Sequence, residues 1–343
     1  MDTKYWDLQN IQVTENNSAI QQAAEAIQHK HTVAFPTETV YGLGADATSE
    51  EAVDKIFKAK GRPSDNPLIV HIGEQKQVEQ IVSQIPEKAV KLMDAFWPGP
   101  LTIILKSNGA CAENVTAGLD SVGVRFPDHP VAIALLKASG KPVAAPSANQ
   151  SGRPSPTTAE HVLDDLSGKI YGVLDGGPTG VGVESTVVDC TGDLPVILRP
   201  GGVTKEEMEQ VVGPVLFDVA LKNNSEKPKA PGMKYTHYAP NAPLWLVEGS
   251  VERIKEVVSL MQQEGKRVGV MVSEENRDQF QDVVVKTCGH GSDLSEVAKH
   301  IYDVLRAFNK EDVDIIIGQT YPKEGVGVAV MNRLEKAATK MVK

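Results

Sequence analysis

The 343 residues are 41% hydrophobic and 23% charged, a globular balance with length for two domains. A formal net charge of −10 argues against a broad basic nucleic-acid footprint. Three isolated cysteines, Cys111, Cys190 and Cys288, form no disulfide framework or zinc motif and fit a reducing, cytoplasmic setting. The opening MDTKYWDLQN has no apolar signal core, and no run of about 18 apolar residues follows, so the chain is expected to be neither secreted nor membrane-spanning.

Short β-branched runs predict strands at Thr32 to Phe35, Leu68 to His71, Leu101 to Leu105, Val122 to Phe126, Val143 to Ala145, Ile170 to Leu174, Thr186 to Val188 and Val196 to Leu198. Helical patterns fall at Ser18 to Gln28, Ser49 to Lys60, Pro86 to Phe96, Pro130 to Ser139, Thr158 to Leu166 and Lys205 to Val211. Their order predicts a mixed-sheet α/β domain over residues 1–215. Residues 216–243 read as a linker, polar at Lys222 to Lys229 but crowded with Tyr235, His237 and Tyr238 between prolines. From 244 to 343 the pattern is strand, helix, strand, strand, helix, strand, helix, with the last helix over Gly327 to Lys340. That pattern predicts a small open domain with a parallel sheet.

Four segments of the first domain hold more glycine and polar residues than a core needs. Pro36 to Gly44 follows a strand, where polar groups can face a ligand; the plainer alternative is a turn with Thr37 as a helix cap. Lys60-Gly61-Arg62 ends a helix, where cations are favoured anyway and their charges are not needed for packing. An ammonium and a guanidinium converging there also suit a polyphosphate. The run from Pro146 to Thr157 offers Ser147, Asn149, Ser151, Arg153 and Ser155 as donors, without Walker A or GxGxxG spacing. Asp175 to Asp189 leads a glycine run into Glu184-Ser185-Thr186, and Arg199-Pro200-Gly201-Gly202 closes the next strand with a cation. Arg125 lies inside an apolar strand and requires an anionic partner, from the protein or from a ligand. His71 closes another; a lone histidine there is more often structural than functional.

Taken together, Lys60-Gly61-Arg62 with Ser147-Ala148-Asn149 resembles the KxR…SxN signature of the YrdC/Sua family. Pro36 to Gly44, Trp97 to Thr102, Ser151 to Thr157, Val183 to Thr186 and Leu198 to Gly201 follow in the family's order. The linker and trailing domain resemble the family's long, two-domain form. The resemblance implies a YrdC-like twisted mixed sheet followed by a small Rossmann-like α/β domain. It implies a nucleotidyltransferase that joins L-threonine, bicarbonate or CO2 and ATP, with Mg2+, into threonylcarbamoyl-AMP and pyrophosphate for N6-threonylcarbamoyladenosine in tRNA. By the same resemblance, Thr37, His71, Arg125 and Ser185 take threonine. Lys60, Arg62, Ser64, Ser147, Asn149, Ser155, Arg199 and Tyr238 take ATP, with Lys60 and Arg62 central to catalysis. No protein-held metal is implied. The linker would cover the site, and the product would pass to tRNA-modifying proteins, with at most weak contact to tRNA itself. The alternatives are a module binding tRNA or double-stranded RNA, and a carbamoyl transferase for hydrogenase maturation, whose zinc-finger cysteines are missing.

Overall fold

In the computed structural model, residues 2–219 and 238–343 are described. They divide into two units. The second comprises residues from 238 to 343 together with two short pieces of earlier chain, Gly152–Ser155 and Val181–Val183.

The first unit is built on an 11-stranded mixed sheet. Its strands are β1 (Lys4–Asp7), β2 (Val33–Phe35), β3 (Gly42–Asp46), β4 (Ile69–His71), β5 (Leu101–Lys106), β6 (Ser121–Arg125), β7 (Val143–Ala144), β8 (Gly172–Asp175), β9 (Thr186–Asp189), β10 (Val196–Arg199) and β11 (Leu216–Phe217). They lie in the order β1-β8-β2-β3-β7-β4-β6-β5-β9-β10-β11. The helices are α1 (Ser18–Gln28), α2 (Glu50–Lys60), α3 (Glu87–Phe96), α4 (Glu113–Thr116), α5 (Pro130–Ser139), α6 (Ala159–Leu166) and α7 (Lys205–Val212). One apolar core packs α2, α3 and α6 on the sheet; a second packs α1 and α5 against β2 and β8.

The helix ends follow from local chemistry. The Ser49 hydroxyl caps α2 through the Ala52 N–H, and Glu50 and Glu51 occupy its first turn. Gly61, at φ 60°, ends it in the left-handed conformation that a side chain resists. Asn17 caps α1, and Thr204 with Glu207 forms a capping box on α7.

Several elements differ from the sequence expectation. β3, fully buried, reads Gly-Leu-Gly-Ala-Asp and carries none of the β-branched residues that mark a strand. Its glycines are needed because a Cβ at Gly44 would press into Phe35 and Val143. The edge strand β1 is largely polar, and β11, placed by sequence in the linker, pairs in parallel with β10.

The second unit carries a sheet of β12 (Leu244–Val247), β13 (Val268–Val272), β14 (Val284–Thr287), β15 (Ile315–Gln319) and β16 (Lys340–Val342). The order is β14-β13-β15-β12-β16, and each neighbouring pair is parallel. Its helices are α8 (Val251–Gln263), α9 (Leu294–Ala307) and α10 (Gly327–Ala337). The last helix stops at Ala337, three residues short of the expected end, and Lys340 opens the edge strand instead.

Candidate functional site

The register of the first sheet assembles the site. His71 on β4 pairs with Arg125 on β6, Arg125 with Thr102 on β5, Thr102 with Val187 on β9, and Val187 with Arg199 on β10. Paired residues point to one face of a sheet, so residues far apart in sequence form one row. His71, Thr102, Arg125, Ser185 and Arg199 are all buried.

Arg125 has its anionic partner within the protein. Its Nη2 lies 2.6 Å from Glu38 Oε1, and its Nη1 donates to the Thr39 hydroxyl at 2.9 Å. Thr39 and Thr37 share a 2.8 Å hydroxyl pair, and the Thr37 hydroxyl donates to the Val40 carbonyl at 2.7 Å. Thr37 therefore caps no helix; it braces a turn that ends on Arg125. The other Glu38 oxygen accepts the Asp128 N–H at 3.1 Å, so the carboxylate is held from two sides.

Ser185 binds a second buried guanidinium of the first unit. Arg199 donates through Nε and Nη2 to the Ser185 carbonyl at 3.1 and 3.0 Å, and the Ser185 hydroxyl pairs with Thr102 at 2.8 Å. Gly201 explains the terminal Arg-Pro-Gly: a Cβ there would overlap the backbone of Glu184, Ser185 and Thr186. At the mouth of β5, a Cβ on Gly99 would overlap the Phe96 carbonyl, and the Gly99 carbonyl accepts from Arg125 Nε at 3.4 Å.

His71 is buried between these cations. Desolvation, then the Arg125 charge, hold its pKa down to about 3, so the imidazole is neutral at physiological pH. Its Nδ1 has no hydrogen-bond partner of good geometry among the described residues. A buried neutral ring can donate or accept a hydrogen bond without adding charge.

Lys60 is the largest departure from expectation at residue level. It is buried, not solvated, and its ammonium donates to the Ser147 carbonyl at 2.5 Å and the Asn149 carbonyl at 2.7 Å. The left-handed turn at Gly61 releases the chain while the ammonium, on the last helical turn, reaches the Ser-Ala-Asn loop. The Ser147 hydroxyl in turn donates to Asn149 Oδ1 at 2.6 Å. The two halves of the signature are thus physically joined. Arg62, half-buried, donates to the Asn66 and Pro67 carbonyls at 3.2 and 3.4 Å, and Ser64 is exposed on the same loop.

Ser155 and Tyr238 fall in the second unit. The Tyr238 ring packs on Tyr302, centroids 5.2 Å apart, with the Arg333 guanidinium 5.7 Å from it. Tyr235 and His237 lie outside the described residues. Among the described residues no three His, Cys, Asp or Glu side chains converge as a metal site, and none of the helices is long and apolar enough to cross a membrane.

Comparison with known proteins identifies the family. A family model covering Sua5, YciO and YrdC, described as telomere recombination, matches residues 25–201. A second, described as the C-terminal domain of threonylcarbamoyl-AMP synthase, matches residues 203–339. The chain belongs to this family. It is 54% identical to threonylcarbamoyl-AMP synthase of Bacillus subtilis over 98% of both chains. It is 47% identical to that of Pyrococcus abyssi over 92% of this chain and 93% of the relative. The structure of P. abyssi Sua5 complexed with L-threonine superposes with a TM-score of 0.94 at 44% identity, covering 99% of each chain. Escherichia coli YciO, at 24% identity and a TM-score of 0.53 over 58% of this chain, shares the fold.

Both parts of the architecture read from sequence are present in this Sua5-family chain, the large mixed sheet and the smaller parallel one. Sequence reasoning missed Glu38, Thr39 and Thr102. Glu38 had a signal: an acid flanked by threonines, in a chain where Arg125 needed a partner. Thr102 lay in a quoted segment but gave no sign that it would meet Ser185 across β5 and β9.

Proposed function

We propose that this chain is a threonylcarbamoyl-AMP synthase, a nucleotidyltransferase acting on L-threonine, bicarbonate or CO2, and ATP. The observation that carries the reading is its whole-length likeness to P. abyssi Sua5, whose structure was determined with L-threonine. The site chemistry agrees. Arg125 offers a guanidinium for the threonine carboxylate, while Thr37, His71 and Ser185 supply small polar partners for the rest of the amino acid. Lys60, Arg62, Ser64, Ser147, Asn149 and Arg199 are assigned to ATP.

No side-chain nucleophile is required. The threonine nitrogen bonds to the carbon of CO2 and loses a proton, giving a carbamate; with bicarbonate the same bond forms and water leaves. A carbamate oxygen then attacks the α-phosphorus, and the bond to pyrophosphate breaks. The protein's part is orientation and charge neutralisation by preplaced cations. Mg2+ enters as part of the Mg–ATP substrate, held by phosphate oxygens. The product is a hydrolysable mixed anhydride, which fits direct use by tRNA-modifying proteins in the cytoplasm. The linker beyond β11 is assigned as the cover that excludes water. Proteolysis of the full chain within 231–240 should slow when ATP and threonine are both present; an unchanged cleavage rate returns the segment to a plain tether.

The direct test follows label. With [14C]bicarbonate, threonine and Mg–ATP, the chain should produce a labelled adenylate whose appearance needs all three substrates. A labelled product formed without threonine contradicts the assignment.

A further inference from the structure

Glu38 has no role in the reaction as described so far, yet its carboxylate occupies the guanidinium assigned to the substrate carboxylate. We propose that the Glu38–Arg125 pair is the element that recognises the α-ammonium and α-carboxylate of the amino acid together, with Glu38 taking the ammonium. The proposal rests on the reading of the site as one for threonine.

Three observations carry it. The two charges sit 2.6 Å apart, with the Arg125 side chain 5% and the Glu38 side chain 13% exposed, so the pair is poorly screened. Each charge is also held by a neutral partner: Arg125 by Thr39, and Glu38 by the Asp128 N–H. Their positions therefore survive a loosening of the direct contact. Finally, His71, paired with Arg125 across β4 and β6, is neutral and so places no further charge beside the pair.

The charge logic then selects the ligand. A plain carboxylate approaching Arg125 meets the Glu38 charge beside it, and drawing Arg125 away leaves Glu38 buried and unpaired. An α-amino acid brings its own cation on the carbon next to its carboxylate. Set against the pair, it replaces one ion pair with two, each charge facing an opposite one. Glu38 thus selects zwitterions, while Arg125 alone would accept any carboxylate.

Isothermal titration of the full chain tests this without turnover. The ligands are L-threonine and 2,3-dihydroxybutyrate, in which a hydroxyl replaces the ammonium. The wild-type chain should bind threonine at least tenfold more tightly than the analogue. Glu38→Gln, folded by its circular dichroism and unfolding midpoint, should lose tenfold or more for threonine while holding the analogue as well as or better than before. Glu38→Asp, which keeps the charge, should retain part of the preference. Equal wild-type affinity for both ligands overturns the proposal, whether or not the variants fold. So does a Glu38→Gln chain that binds threonine as wild type does, or that loses both ligands equally, as a purely structural role requires. If the wild-type chain binds no threonine at all, the threonine reading itself fails and this proposal fails with it.

Discussion

Lys60 shows how one side chain can serve structure and ligand together. Its ammonium binds two loop carbonyls, so Lys60→Ala should cost stability as well as activity, because buried carbonyls lose their donor. Arg62→Ala should spare stability, since Arg62 is half-buried at a loop. On the ATP assignment each substitution should lose about 2–4 kcal/mol of transition-state stabilisation. Steady-state kinetics paired with urea unfolding separates the two effects, and wild-type kinetics in either variant removes that residue from the nucleotide site. His71 makes a pH prediction. Its folded pKa of about 3 lies below the ordinary value near 6.5. Between those values the unfolded chain binds a proton that the folded chain refuses, so stability falls as pH drops through that window and gains nothing more above it. His71→Gln should therefore lose less stability than wild type between pH 7 and pH 4.5 in urea titrations; equal losses would show the ring is not buried neutral. At this scale the sequence made the cations legible, because Lys and Arg beside glycine or inside apolar runs stand out. It could not show that Lys60 turns inward, since that depends on where the Ser-Ala-Asn loop lies after folding.

Secondary structure was legible where local chemistry decides it. Asn17, Ser49 and Thr204 stand at helix starts and Gly61 and Gly140 at helix ends, and the helix bounds follow them closely. β3 was hidden because glycine and alanine there answer to Phe35 and Val143 across the packing, a tertiary demand with no local period. The row of site residues was hidden for the same reason: it exists only once β4, β6, β5, β9 and β10 pair in register. Gly201, two residues past Arg199 at the end of that row, is a point of close backbone approach. Gly201→Ala should cost about 3 kcal/mol, since the added carbon meets rigid backbone of residues 184–186 rather than a movable side chain. Because Ser185 and Arg199 flank that contact, activity should fall further than at a core site of equal destabilisation. A Gly201→Ala chain with an unchanged unfolding midpoint would mean that the close approach is not present.

At the scale of the whole chain, two units and a whole-length likeness to threonylcarbamoyl-AMP synthases converge on one activity. The composition argued against a broad basic surface, and the order of the motifs carried the resemblance to the family that the comparisons show. Thr37, His71, Arg125 and Ser185, assigned to threonine by the family resemblance, come from four separate parts of the chain, and what no sequence pattern could supply is the Glu38, Thr39 and Thr102 contacts that hold Arg125 and Ser185. The four assigned residues make the central claim measurable. Pyrophosphate release should be followed with Mg–ATP and bicarbonate while threonine is replaced by valine, which keeps the branched shape and lacks the hydroxyl. A buried site that hydrogen-bonds a hydroxyl rejects its absence strongly. Release with threonine, and at least a hundredfold lower kcat/KM with valine, is the expected result; equal release with both would contradict the account.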